Sequence, residues 1–292
     1  MNSSYSVIIP TVNAEKEIAP LLDTVNKQIP RPAKVLVVDS SSDDKTAAIA
    51  ANKGAELIVI PRNEFDHGKT RDLALRHTDT PFVVFLTQDA MPKDSDCMEK
   101  LLAPMLNDPK VAVCGGRQQA YPSARQAEKL VREHSYPNQS RVWSVEQIAE
   151  LGVRAYLISD VFAAYRRSAY EAVGGFDYPI LTNEDMLITQ KFLDAGYKAA
   201  YAADALVLHS HDFTLKQQYR RNYIIGQTMV RYRDRFRNAG ELGEGISLAF
   251  FVLTELLKMG KLGECFRFSL DCAARLIGNR MGRAAEEKSR KR

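Results

Sequence analysis

Along most of the chain, short runs of consecutive apolar residues alternate with stretches whose apolar residues recur every three or four positions. Residues 5–10 (YSVIIP) form a short β-rich run, and residues 15–28 carry Ile18, Leu21, Leu22 and Val25 at helical spacing. Residues 35–39 (VLVVD) are continuously apolar up to the final Asp, as a strand buried on both faces should be. The same reading predicts a helix over 46–53, a strand over 56–60, a helix over 68–76, and buried strands over 82–87 (FVVFLT) and 111–116. This β/α alternation predicts an α/β fold built on a doubly wound, mostly parallel sheet, which binds ligands beyond the carboxyl ends of its strands. Residues 120–160 are less regular and read as a cover over such a site. A strand over 161–165, helices over 168–173 and 184–195, and a strand over 205–209 complete the main domain, residues 1–235. From Leu215 onward the pattern is helical, with a break between Gly240 and Gly245, so residues 236–292 form a C-terminal helical extension.

The 292 residues, 45% of them hydrophobic, are enough to bury a full core. The opening MNSSYSVIIPT has neither a basic start nor a long apolar run, and reads as a first strand, not a signal peptide. Cys97, Cys114, Cys265 and Cys272 show no metal-ligand spacing and read as reduced thiols of a cytoplasmic protein. The formal charge of +4 is matched by residues 279–292 alone, which hold six Lys/Arg against two Glu. The body is therefore near neutral and carries no basic stripe, which argues against nucleic acid as a partner.

Polar residues collect at the predicted strand ends. Asp39 follows a buried strand, and the Ser40–Asp44 run after it either caps a helix or leaves a carboxylate for a nucleobase or ribose. Asp89, in TQDAMP, is either a turn residue or a ligand for a hard divalent cation. His67, Gly68, Lys69 and Arg71 open a helix: they either make a solvated start with ordinary caps, or their free N–H groups and two cations suit a phosphate. The GGFD segment holds Gly175, a residue type that lets the backbone approach a ligand. Glu184 and Asp185 precede an apolar helix; they either favour its N-terminus or supply a general base. His209 and His211 end a strand; they are either ordinary surface or core histidines, or one of them completes a cation site opened by Asp89.

In that order, SVIIPTVNAE, VVDSSSDDKT, HGKTR, TQDA, GGFD, NED and HSHD resemble the inverting glycosyltransferases of the GT-A, Rossmann-like fold (family 2 type), over roughly residues 5–235. The resemblance implies that Pro10, Thr11, Asn13 and Asp39 hold the donor nucleoside. It places the family's acidic metal motif on Gln88-Asp89-Ala90, where only Asp89 remains acidic. It puts the late metal-ligand histidine on His209, with His211 second, and the catalytic base on Asp185, with Glu184 beside it. A diphosphate-touching element falls on Gln218 and Arg221, with Asn222 where a Trp is usual. FDHGKTRDLA, TQDAMP and HSHDFTLKQQYRRNYIIGQ resemble the bacterial rhamnosyltransferase branch. That implies a dTDP-rhamnose donor in preference to a UDP-sugar, Mg²⁺ or Mn²⁺ as cofactor, and a glycan or lipid-linked acceptor in surface polysaccharide synthesis.

Two other classes share parts of this pattern. A sugar-1-phosphate nucleotidyltransferase would carry a Gly-rich basic loop after its first strand, where this chain has TVNAEKE. A non-catalytic protein of the same fold would explain the thinned metal motif, but not Asp185 and His209. Residues 246–259 (ISLAFFVLTELLKM) are strongly apolar yet fall short of the ~20 residues that span a bilayer. With Lys258, Lys261, Arg267 and the basic tail, they read either as a peripheral anchor on the inner face of the cell membrane or as a packing or homo-oligomer element.

Overall fold

A computed structural model describes residues 3–236 and 243–291. The chain begins β1 (Tyr5–Thr11), α1 (Ile18–Asn26), β2 (Lys34–Asp39), α2 (Thr46–Asn52), β3 (Glu56–Val59), α3 (His67–Arg76) and β4 (Phe82–Leu86). It continues through β5 (Met91–Pro92), α4 (Cys97–Asn107), β6 (Val111–Gln119), α5 (Gln126–Ser135), β7 (Arg141–Trp143), α6 (Ile148–Leu151) and β8 (Phe162–Arg166). The last third comprises α7 (Arg167–Ala172), α8 (Glu184–Asp194), β9 (Lys198–Leu208), α9 (Leu215–Arg231), α10 (Gly243–Lys258) and α11 (Leu262–Arg290). Of the predicted break between Gly240 and Gly245, residues 240–242 lie outside the described residues, as does Arg292 of the tail.

The strands form one sheet in the order β3-β2-β1-β4-β8-β6-β9-β5, with β7 also on β9. β3, β2, β1 and β4 are parallel, and so are β6 and β9. β8 runs antiparallel between β4 and β6, and β5 and β7 run antiparallel to β9. Successive residues of β1 serve opposite faces: Ile8 packs with Phe85 and α8, whereas Val7 and Ile9 pack with α1 and α4. Both faces are covered, which is why the parallel strands read as unbroken apolar runs.

Two consequences of this order place the site. Because β8 is reversed, its N-terminal end lies on the same edge as the carboxyl ends of β1, β2, β4, β6 and β9. The residues just before β8 therefore join the residues just after the other strands. In addition, β5 pairs Met91 with Leu208, which folds the loop after β4 back over the end of β9.

The C-terminal helices are not a detached appendix. α11 lies along α9, where Gly226, Gly278 and Gly282 meet opposing backbone carbonyls so closely that a Cβ would collide. α10 and α11 pack on α5 through Leu130, Val252, Leu256 and Phe268.

Candidate active site

The first cluster gathers at the loop after β4. Asp89 faces two imidazoles that follow β9: its Oδ2 lies 3.4 Å from His209 Nε2 and 3.6 Å from His211 Nδ1. One ligand atom from each of the three residues falls within 4.8 Å of the others. His209 is 2% exposed, and its Nδ1 lies 2.9 Å from Oε1 of the buried Gln118 at the end of β6. An amide oxygen only accepts, so this contact places an N–H on Nδ1 and turns Nε2 toward Asp89. Arg132 of α5 also donates to that Oε1 at 2.6 Å, fixing the amide orientation. Burial, then the charge of His209, lowers His211 to about 4, so at neutral pH it is a neutral imidazole with a free lone pair. Burial opposes ionisation of Asp89, but the hydrogen bond and charge of His209, then the Thr87 hydroxyl, outweigh it and hold the carboxyl below the usual range. One carboxylate and two imidazoles, one locked by a buried amide, suit a divalent cation with open positions.

The second cluster lies across the same cleft, of about 570 Å³. Three carboxylates meet there: Asp160, just before β8, and Glu184 and Asp185 at the start of α8. Arg71 of α3 reaches into them, its Nε 2.9 Å from Asp160 and its Nη1 3.0 Å from Glu184. Tyr165 donates to Asp160 at 2.6 Å. Asp185 accepts from the N–H groups of Met186 (2.8 Å) and Asp160 (3.4 Å), and borders the cleft. One guanidinium cannot neutralise three carboxylates, so their proton affinities spread. Burial, partly offset by Arg71, pushes Asp160 up to about 6. Glu184 is held at about 2: burial raises it, but Arg71 and then His67 overcome that. Asp185 is raised well above an ordinary carboxyl, by burial and then by the charges of Glu184 and Asp160. The pattern suits a general base.

The loops after β1 and β2 form a third group on the same sheet edge. Asp39 is 1% exposed and accepts from Ser42 N–H (2.9 Å), Ser42 Oγ (2.5 Å) and Thr11 Oγ1 (3.2 Å). Asn13, at φ +50°, accepts from Asp43 N–H, tying the two loops together beside Pro10. Gln88 accepts from Val12 N–H (2.9 Å) and donates to Val12 O (3.2 Å), so it clamps the first loop next to Asp89.

The other residues expected at the site have these surroundings. The start of α3 is not an open phosphate site: Oδ1 of Asp66 already accepts from Gly68 N–H (2.9 Å) and Lys69 N–H (2.8 Å), placing a negative charge there. Arg71 is spent on buried carboxylates. The Lys69 ammonium approaches Glu64 at 3.5 Å and does not line the cleft; only His67 of that group keeps a half-exposed face toward it. Gly68 and Gly175 are required by packing, against the Asp177 carbonyl and the Tyr170 ring. Glu184 is 5% exposed and paired with Arg71, beside Asp185. Asp160, Gln118 and Arg132 carried no local signal, because each reaches the site through the reversed β8 or through α5.

Arg71→Met should cost about 3–5 kcal/mol of stability, since it leaves Glu184 and Asp160 buried and unpaired. Urea unfolding with an unchanged midpoint would contradict that role.

The sheet, the carboxylate–imidazole cluster and the facing acid cluster together define a GT-A glycosyltransferase. The chain belongs to glycosyl transferase family 2, whose profile matches residues 6–174. It is 38% identical over 225 residues to the O-antigen chain rhamnosyltransferase WbaN of Salmonella anatum, covering 76% of this chain and 71% of that protein. It is equally similar, over 223 residues, to RfbN of Salmonella typhimurium, also an O-antigen chain rhamnosyltransferase. Among solved structures, a Pyrobaculum calidifontis mannosyltransferase in complex with GDP-Man and Mn²⁺ matches with a TM-score of 0.63 at 17% identity, over 99% of this chain and 88% of that one. S. aureus TarS 1–349 in complex with UDP-GlcNAc matches with a TM-score of 0.57 at 19% identity, over 99% and 92%.

Proposed function

We infer that this inverting glycosyltransferase moves rhamnose from a dTDP-linked donor to an acceptor hydroxyl of a growing surface glycan. Support for the sugar comes from the likeness to two O-antigen chain rhamnosyltransferases. The observation that carries the chemistry is Asp185, a carboxyl of raised proton affinity in the same cleft as His211. In the reaction, Asp185 takes the acceptor hydroxyl's proton as that oxygen attacks the anomeric carbon. The bond from that carbon to the diphosphate oxygen breaks on the opposite face, and the nucleoside diphosphate leaves with the electron pair. Glu184 and Asp160 keep Asp185 basic, while Arg71 holds those two carboxylates in place. Asp89, His209 and His211 would hold a divalent cation, Mg²⁺ or Mn²⁺, which supplies positive charge to the departing diphosphate.

Pro10, Thr11, Asn13 and Asp39 form the edge against which the nucleoside would sit. Thymine adds a methyl to uracil, so dTDP should bind about tenfold tighter than UDP. Competition binding checks this; equal or better binding of UDP would count against the dTDP reading.

The acceptor side includes a membrane. Among the described residues no helix is long and apolar enough to cross one. Yet α10 and α11 expose Ile246 (71%), Phe250 (74%), Leu262 and Phe266 (69%), with Lys258, Lys261 and Arg267 nearby in the sequence. Such a face suits an interfacial contact with anionic lipid, on which a lipid-linked glycan would be carried. The protein should pellet with anionic vesicles at low salt and release as salt is raised. No pelleting, with a concentration-dependent dimer instead, would assign the face to a second copy of the chain.

A further inference from the structure

Arg221 on α9 and Arg275 on α11 both line the cleft. Among the described residues neither guanidinium has a hydrogen bond or ion pair, and the Nε of Arg275 is fully buried without a partner. Asp185 attracts Arg221 across the cleft but makes no ion pair with it, and one oxygen of Asp271 is buried without a partner among the described residues. Asp271, one turn before Arg275, faces Arg125 at 3.6 Å, and Glu128 is paired with Arg132 at 2.9 Å. Arg221 is itself placed: its guanidinium lies 5.5 Å from the centre of the Phe213 ring, which stacks at 4.5 Å on His211. That stack fixes the guanidinium relative to the cation site. Desolvation, then the charges of Arg132 and Arg275, depresses the Arg221 proton affinity, as expected when like charges crowd one space.

The helix crossing explains how two like charges are held together. Gly278, one turn after Arg275, meets the carbonyl of Tyr219, two residues before Arg221. Gly282 meets the carbonyl of Tyr223, two residues after it. Any Cβ at these glycines would push α11 away from α9 and carry Arg275 with it. Packing thus opposes a repulsion that only the charge of Asp185 partly offsets at Arg221, an arrangement that an anion would stabilise.

We propose that Arg275 joins Arg221, which the family resemblance already places at the diphosphate, in a two-helix clamp, making the C-terminal helix α11 part of the substrate-binding machinery. Two diphosphates fit this chemistry: that of the nucleotide sugar and that of a lipid-linked acceptor. The proposal uses the glycosyltransferase reading only to name those two sources; the clamp itself rests on the paired guanidiniums.

Titration calorimetry with inorganic pyrophosphate, without metal, tests it. Arg275→Gln should weaken binding about tenfold or more, and Arg275→Lys should recover part of the loss. Gly278→Val should weaken binding similarly while Arg275 remains intact. Circular dichroism melting identifies any variant that has merely lost its fold, and Arg275→Gln, on a partly exposed side chain, keeps the test decisive. Two further arms separate the sources: a matching loss for dTDP assigns the clamp to the donor, and a loss for farnesyl diphosphate assigns it to the acceptor. If the wild-type chain ignores pyrophosphate, or Arg275→Gln binds it with unchanged affinity, the clamp is overturned. If pyrophosphate behaves as expected but dTDP does not bind the wild-type chain, the clamp stands and the dTDP donor reading fails.

Discussion

Asp185→Asn should lower kcat by about a hundredfold or more and leave donor binding near normal. The substitution keeps the shape and an oxygen able to accept from Met186 N–H, but it removes the basic lone pair. The same carboxyl predicts the pH profile. A general base works only when ionised, so activity is lost as pH falls through its pKa. Because burial and the charges of Glu184 and Asp160 raise that pKa, the acid limb of kcat/KM should lie above the range of an ordinary carboxylate. Asp160→Asn removes one of those charges and should move the limb to lower pH. A full-rate Asp185→Asn enzyme would remove Asp185 from the chemistry.

Asp89→Ala and chelator treatment should each cost about a hundredfold or more in turnover, through loss of the charge that stabilises the leaving diphosphate. His209→Ala should match Asp89→Ala, because His209 is the imidazole whose Nε2 is fixed toward the site. Removing the buried amide, as in Gln118→Leu, should weaken Mn²⁺ binding by about 10–100-fold without removing a ligand. Mn²⁺ titration followed by electron paramagnetic resonance reads this directly. Full activity after chelation would leave the arginines of the cleft as the source of that charge.

The parallel half of the sheet was legible because β1, β2 and β4 are buried on both faces and read as apolar runs. The reversal of β8 was not: FAAYR is apolar on both faces in either direction, and its orientation is set by β4 and β6. That is why Asp160 went unseen. α4 was hidden by Pro104 inside it, and most of β9 by its alanines, which have weak β-preference until neighbouring strands enforce it. Asp89, His209 and Asp185 were legible because each sits at the end of an apolar element. Arg71 was legible as a cation near the site, but its partners were not, since Asp160 and Glu184 come to it from distant segments. Arg275 was unreadable: its place depends on the crossing of α11 over α9.

Direct displacement with Asp185 as base is tested most directly by the stereochemistry of donor cleavage. Proton NMR of dTDP-rhamnose incubated with the protein and a divalent cation, with water as acceptor, shows which rhamnose anomer forms first, before mutarotation. The anomer opposite to that of the donor should appear first, and Asp185→Asn should suppress it. First appearance of the donor's own anomer would contradict the single-displacement account.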